Sequence, residues 1–205
     1  MFALVESGSI TKMMNGNKGI TIGDNQYPAS FFTSVYSEAE RNAVGVYTVE
    51  IDETNKKDEE WYLNTNITYS FSGGKVKGTY GTATAKPHAD TTYTNTDKSN
   101  GDIPTGKNVG DVKEEGLKTV LIRQVKRKAQ EILNETDWYI TRNAEKSTAI
   151  PSAITTHRDA VRAKQASMET AITNAADAPA LETLYTYTTT DGVTSRPLGE
   201  LPTLE

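Results

Sequence analysis

The side chains that most often carry catalysis or bind metals are scarce in this sequence. Its 205 residues include two histidines, His88 and His157, and no cysteine. The histidines lie far apart in the chain, and neither has an acidic neighbour at a ligand spacing such as i+4. Without cysteine there are no disulfides and no thiolate metal sites, which fits a reducing cytoplasm. We therefore expect no metal and no cofactor, and we expect His157 to lie in a helix seam.

Two glycine-containing turns, at residues 7–9 and 72–74, have the composition of a nucleophile or phosphate loop. Such loops need a strand–turn–helix context, and a phosphate loop also needs a lysine. Neither segment has them, so both are predicted to be simple turns. Nothing else in the sequence resembles a catalytic site, and we do not expect an enzyme.

Basic residues are concentrated at residues 123–128 and recur at Arg158 and Arg162. Acidic residues bracket the run, no aromatic residue is interleaved for base stacking, and the net charge is −5. We interpret the run as a solvated helix face and expect no nucleic-acid partner. Arg158 and Arg162 are four apart on one helix face, where they could form structural ion pairs or bind a partner protein. Both interpretations stay open from the sequence.

The elements that carry these arginines are predicted by helical periodicity. Apolar residues recur in steps of three and four through residues 117–133, and again through residues 154–175 after Pro151. Asp111 and Glu114 have the spacing of a capping box for the first helix. The pattern predicts a helical hairpin within residues 111–190, with a short third piece around residues 181–185.

Trp138 lies in the short segment between the two long helices. This segment, residues 137–142, contains several apolar side chains and is too short for a third long helix. We predict that Trp138 is buried between the helices as a structural hub, closing the hairpin like a plug.

The N-terminal part of the chain carries strand signals. Residues 66–71 and 75–80 alternate on both sides of a Gly-rich loop, which predicts an antiparallel hairpin. Trp61 and Tyr62 are expected to anchor it. The sequence therefore predicts an α+β protein with a small antiparallel β domain at residues 1–85.

Two polar segments complete the predicted organisation. Residues 86–110 are rich in Thr, Asn, Asp, Gly and Pro, and predict an extended connector between two domains. Residues 191–205 predict an extended tail in which Leu198, Leu201 and Leu204 alternate with prolines. Such a segment suits a partner's groove, so these leucines are candidate partner-binding residues together with the two arginines.

One part of the C-terminal half matches a known pattern. The matching residues are Ile132-Leu133, Thr136-Asp137-Trp138, Arg142, Glu145, Pro151, His157-Arg158 and Arg162. This stretch resembles the C-terminal segment of tailed-bacteriophage tail-fibre assembly proteins and related phage virion proteins. His157 stands where that family carries Tyr. Residues 196–204 also resemble the family's Trp-Pro-x-Leu-type ending, with Leu201 in place of Trp.

The resemblance implies a phage assembly or virion context rather than a chemistry. We expect a tail-associated structural protein, a tail-fibre or baseplate adaptor made in the host cytoplasm, that binds other virion proteins as a homo- or hetero-oligomer. The alternative is a tail-fibre assembly chaperone that leaves the particle. The sequence contains no run of roughly 20 apolar residues that could cross a bilayer, so we expect a soluble, unsecreted protein without a membrane partner.

Overall fold

The computed structural model describes residues 1–204 and contains both β-sheets and helices. This confirms the predicted α+β class. The chain divides into two compact units, Met1–Thr84 and a second unit that begins at Ala85. No helix within the described residues is long and apolar enough to cross a membrane.

The first unit contains one short helix, eight strands and the first residue of a ninth strand, which ends at Ala85. A 3-10 turn lies at Ala29–Phe32. The elements are β1 (Phe2–Glu6), β2 (Ser9–Met14), β3 (Ile20–Ile22), β4 (Asn25–Tyr27), α1 (Glu38–Ala43), β5 (Val46–Asp52), β6 (Tyr62–Leu63), β7 (Ile67–Ser72), β8 (Lys75–Tyr80) and β9 (Thr84–Ala85).

Five of these strands form one sheet in the order β2-β1-β5-β8-β7. The β7–β8 hairpin is antiparallel with Phe71 opposite Val76, which confirms the hairpin predicted from alternation. The pair β5–β8 is parallel, because the chain leaves β5 and returns to it only after forming β7. The edge strands β2 and β7 are in contact with each other, so the sheet curls toward a barrel.

The core of the first unit follows the two-residue period of β1. Ala3 and Val5 face one side and pack with Val49 and Val76. Leu4 faces the other side and packs with a second apolar cluster, which consists of Ile20, Phe31, Phe32 and Val46. Because successive strand side chains alternate, one strand serves two clusters.

Gly78 in β8 has no room for a side chain. A Cβ atom there would lie 2.9 Å from each of Ile51 Cδ1, Ile67 Cγ2 and Tyr69 Cε1. Gly78→Ala should therefore overpack this face of the sheet and lower the free energy of unfolding by about 1–3 kcal/mol. Ser70→Ala, at an exposed position on the neighbouring strand, is the control and should change it by less than about 0.5 kcal/mol. Denaturant melts would compare the two variants, and equal midpoints would contradict the crowding.

Up to residue 204, the second unit contains five helices and two small antiparallel strand pairs. Its elements are β10 (Thr91–Thr92), α2 (Asn95–Asn100), β11 (Val112–Glu114), α3 (Leu117–Asn134), α4 (Asp137–Lys146), α5 (Ser152–Asn174), α6 (Ala178–Tyr185), β12 (Thr188–Thr190) and β13 (Val193–Ser195).

The two long helices α3 and α5 pack along the apolar seam that the sequence predicts. The buried positions of α3 are spaced by four and are Leu121, Val125, Ala129 and Leu133. Those of α5 are Ile154, His157, Arg158, Val161, Met168 and Ile172. Ala129, Leu133 and Val161 form one cluster in this seam. His157 therefore lies in the seam, as its spacing indicates.

The start of α3 differs from the sequence prediction. Asp111 and Glu114 do not form a capping box, because residues 112–114 pair as a strand and the helix begins only at Leu117. Its first amides are satisfied by the upstream chain instead. Leu117 N donates to Pro87 O at 3.0 Å and Lys118 N donates to His88 O at 3.0 Å. The helix start is thus capped by backbone carbonyls.

Residues 86–110, predicted as an extended connector, have structure of their own. They contain β10 and α2, and α2 has a capping box between Thr94 and Asp97. Lys113 and Thr94 hydrogen-bond to the Asp97 carboxylate and hold its pKa well below its usual range. The segment groups with the second unit. Its polar composition hid this, because its contacts run through backbone and carboxylate hydrogen bonds rather than apolar burial.

Candidate protein-binding surface

Arg158 on α5 is buried, with 7% of its surface exposed. Its guanidinium donates to Leu133 O at 2.7 Å, to Thr136 Oγ1 at 2.6 Å and to Asp137 Oδ1 at 2.9 Å. These three acceptors come from the end of α3 and the start of α4. Arg158 therefore binds the turn between those helices to α5, and we call this set of contacts the arginine clamp.

The position of the clamp suits a cation. The last carbonyls of a helix have no partner within the helix, and they carry the negative end of its dipole. Leu133 O is one of these carbonyls, and it also accepts a hydrogen bond from Thr136 Oγ1 at 3.1 Å. Thr136 itself is buried. The clamp therefore gives a charged donor to a carbonyl and a hydroxyl group in a buried site.

Trp138 is not the buried hub that the sequence predicts, because half of its surface, 50%, is exposed. The segment after the clamp folds as the ten-residue helix α4, which buries no residue. The space between α3 and α5 is filled by small or medium side chains of the seam, including Ala129 and Val161. Helices that approach on such side chains leave no room for an indole between them.

The Trp138 ring packs on its own helix instead. Its centroid lies 3.8 Å from that of Tyr139. The Arg142 guanidinium lies 4.6 Å from the Trp138 centroid and 5.3 Å from the Tyr139 centroid. We call Trp138, Tyr139 and Arg142 the aromatic platform. Ile140 extends the exposed apolar surface of α4, with 43% of its area exposed.

Clamp and platform are joined directly in sequence. Asp137, whose carboxylate pairs with Arg158 at 2.9 Å, is the residue before Trp138. A ten-residue helix is marginal in water on its own, so its orientation depends on what holds its ends. The clamp holds the first turn of α4, and an exposed tryptophan is thereby presented on a fixed backbone.

Arg162, the other arginine predicted to bind a partner, is not in the clamp. It is half-exposed and pairs with Asp159 of its own helix at 3.3 Å. Arg158 is turned inward, so its charge is committed to the fold. The structure therefore does not bring the two arginines together, although they are one helical turn apart.

The three leucines of the predicted tail also have different environments. Leu198 is 3% exposed, its amide donates to Leu184 O at 3.0 Å, and its carbonyl accepts from Lys164 Nζ at 2.8 Å. Leu201 packs on the cluster formed by Ala129, Leu133 and Val161. Leu204 remains exposed. Up to Leu201, the tail packs on the protein's own helices. This part of the tail is therefore not available to enter the groove of a partner.

A polar network fixes the tail beside those helices. Arg196 donates through Nη2 to Glu200 Oε2 at 2.9 Å, and its guanidinium lies 5.1 Å from the Tyr185 centroid and 5.2 Å from that of Tyr187. Tyr187 Oη donates to Glu200 Oε1 at 2.5 Å. Burial acts to raise the pKa of Glu200, but the hydrogen bonds from Tyr187 and Arg196 prevail and lower it. The network keeps Glu200 charged.

A cavity of about 340 Å³ lies between the tail and the helices. One wall is formed by a stripe of α3 from Gln124 to Ile132 and by Glu135 at the helix end, and the opposite wall is formed by Tyr185 and the tail residues Arg196, Glu200 and Leu201. Met168 of α5 also lines it. We call this cavity the tail groove.

No group of three or more His, Asp or Glu side chains within residues 1–204 could hold a metal ion. His88 and His157 lie in different elements, and the platform and clamp contain no nucleophile paired with a base. The chemistry that these side chains can perform is recognition, by stacking, charge and apolar contact. No family model, curated protein or solved structure matches the chain in comparisons with known proteins.

Arg158 is the residue whose role the sequence left open. It lies four positions after Ile154 and three before Val161, which is the spacing of the buried seam. A charged residue at a seam position needs buried partners, and this could have pointed to the clamp. The tail groove had no comparable signal, since its walls come from segments distant in sequence.

Proposed function

We propose that this chain is a tail-associated structural protein of a bacteriophage virion, a tail-fibre or baseplate adaptor that acts by protein–protein contacts. The observation that carries the proposal is the exposed Trp138 platform on a helix whose first turn is clamped. Tryptophan and arginine are the residues most enriched among those that dominate binding energy at protein interfaces. A fixed platform also loses little conformational entropy on binding.

The phage context of the proposal rests on the resemblance to tail-fibre assembly and virion proteins. Several residues that carry it are in contact in this chain: Leu133, Thr136 and Asp137 are the acceptors of Arg158, and Arg142 stacks on Trp138. The motif therefore corresponds to one local arrangement rather than to scattered positions. We propose accordingly that the motif serves to present a binding surface and does not carry out a reaction.

Trp138→Ala tests the proposal. The exposed ring contributes little to the fold, so the free energy of unfolding of the variant should lie within about 1 kcal/mol of the wild-type value. At the interface the loss should be about 2 kcal/mol or more, roughly 30-fold in affinity. Phage carrying the variant gene should therefore contain far fewer copies per purified particle, as counted by quantitative mass spectrometry. Ser167→Ala, at an exposed position of α5 in the same unit, is the control.

The same particles distinguish the two expected roles. A structural protein is present in purified wild-type virions at a fixed copy number, whereas an assembly chaperone is present in infected cells and absent from particles. If Trp138→Ala particles contain the protein at the wild-type copy number, the platform is not the docking surface.

A further inference from the structure

Arg142 of the aromatic platform forms no ion pair within residues 1–204. Every other arginine of the second unit pairs there with a carboxylate, and these residues are Arg123, Arg127, Arg158, Arg162 and Arg196. Arg142 also donates no hydrogen bond within residues 1–204, and its Nε is shielded from solvent without a partner. The fold therefore leaves the charge of Arg142 unneutralised.

The two rings of the platform explain why Arg142 has no acidic partner on its own helix. Long side chains in a helix point back toward the N-terminus, onto the residues three and four positions earlier. For Arg142 these are Tyr139 and Trp138, and their ring centroids lie 5.3 Å and 4.6 Å from its guanidinium. Glu145 lies three positions later, so the guanidinium is turned away from it.

The other charged residues of α4 leave Arg142 as the charge beside the rings. Asp137 pairs with Arg158 in the arginine clamp. Glu145 and Lys146 follow each other at the end of the helix and have opposite charges, so together they add little net charge. A partner that covers Trp138 also covers the guanidinium stacked on it. Burying a charge without a counter-charge is costly, so such a partner must supply an anion.

We propose that the partner protein places an Asp or Glu side chain on Arg142 when it covers Trp138. This inference rests on the proposed role of the platform as a docking surface, and it names the chemistry of the partner. A carboxylate can accept parallel hydrogen bonds from the two Nη groups. The rings already fix the guanidinium, so little side-chain entropy is lost on binding. A neutral side chain at this place would leave the cation buried without a counter-charge, which makes the contact selective.

A nucleic acid fits this surface less well than an acidic protein segment. A base stacked on the indole and a phosphate on Arg142 would use the same groups. Binding to nucleic acids, however, relies on several cations that neutralise phosphates. Helix α4 carries as many acidic as basic residues, and the net charge of the chain is −5. The balance of charge therefore favours a protein carboxylate.

NMR of the arginine side chains in the isotope-labelled full-length protein tests the contact directly. The probe is N-acetyl-glutamate N′-methylamide, whose only charge is a side-chain carboxylate, and its glutamine analogue is the matched control. Both are titrated at constant ionic strength, because salt screens exposed charges. The glutamate probe should shift the Arg142 signals at least about three times as far as the signals of ion-paired Arg162, and at least about three times as far as the glutamine analogue does.

The Trp138 indole signal gives a second readout of the same titration, with the buried Trp61 as the reference. The glutamate probe should shift the Trp138 signal in the wild type and not in Arg142→Gln. Equal responses of Arg142 and Arg162, or equal responses to the two probes, would overturn the inference. A larger Trp138 shift with hexathymidylate at the same concentration would identify a nucleic-acid surface and would overturn it as well.

Purified particles test whether docking uses this contact. Arg142→Gln particles should contain about tenfold fewer copies of the protein, because the partner's carboxylate loses its counter-charge. If Trp138→Ala lowers the copy number and Arg142→Gln leaves it unchanged, the inference is overturned while the proposed function stands. If the wild-type protein is absent from particles, the proposed function fails, and the NMR titration alone decides whether Arg142 binds a carboxylate.

Discussion

Replacing Arg158 with methionine should lower the free energy of unfolding of the second unit by about 3 kcal/mol. Methionine keeps most of the apolar stem but removes every donor of the arginine clamp. Leu133 O and Thr136 Oγ1 then lose their charged partner in a buried site. Asp137 contributes less to the expected loss because its side chain is half-exposed and can be hydrated.

Hydrogen exchange followed by mass spectrometry is suited to this measurement because it reports each segment separately. Protection should fall in α3, α4 and α5, while the peptides of the first unit provide the reference. Arg162→Met is the matched control, since Arg162 is exposed on the same helix and its ion pair is with Asp159 of that helix. It should change stability by less than about 0.5 kcal/mol. Equal effects of the two substitutions would show that the clamp does not stabilise the fold.

Leu198→Ala should destabilise the second unit by about 2–5 kcal/mol, the range for truncating a buried leucine. Leu198 is almost fully buried, and the backbone around it is bound to Leu184 and Lys164. Leu204→Ala, which alters a leucine with 45% of its surface exposed, should change stability by less than about 0.5 kcal/mol.

Denaturant melts of the two leucine variants would test whether the tail is part of the fold. The larger loss of stability for Leu198→Ala follows from the burial of this side chain, since truncation removes apolar contacts and leaves a cavity. If both variants melt at the wild-type midpoint, the tail is dispensable for folding. The notion of a tail reserved for a partner would then regain support.

The sequence predicted the elements whose side chains repeat with a regular period. The seam of α3 from Leu121 to Leu133 and the β7–β8 hairpin are both defined by local spacing, and the structure has both. Periodicity states which face of an element is buried, but it does not state which element covers that face. The parallel pairing of β5 with β8 is of that second kind, because it joins segments separated by two other strands.

Trp138 shows where residue type misled the prediction, and Arg158, for which a structural ion pair was one of two open interpretations, shows how far burial can depart from residue type. A large aromatic side chain is usually buried and a charged one usually exposed, and here the two are reversed. The burial of the two residues is decided by the small side chains of the seam, Ala129 and Val161, and by helix-end carbonyls that accept a hydrogen bond. These are properties of the packed helices rather than of either residue. The tail groove depends still more on packing, since the tail and α3 form it together.

The pairings within the first unit also bear on the order in which the protein forms. Leu4 pairs with Val46, and Val49 pairs with Val76, so this sheet requires contacts between distant parts of the chain. Closing such loops costs entropy before any contact compensates, which makes sheets of this kind slow to fold. Each helix of the second unit can form quickly from its own local hydrogen bonds, although the packing of α3 on α5 also joins distant residues such as Ala129 and Val161. During synthesis the slower unit leaves the ribosome first. It can therefore begin to fold while the second unit is still being translated.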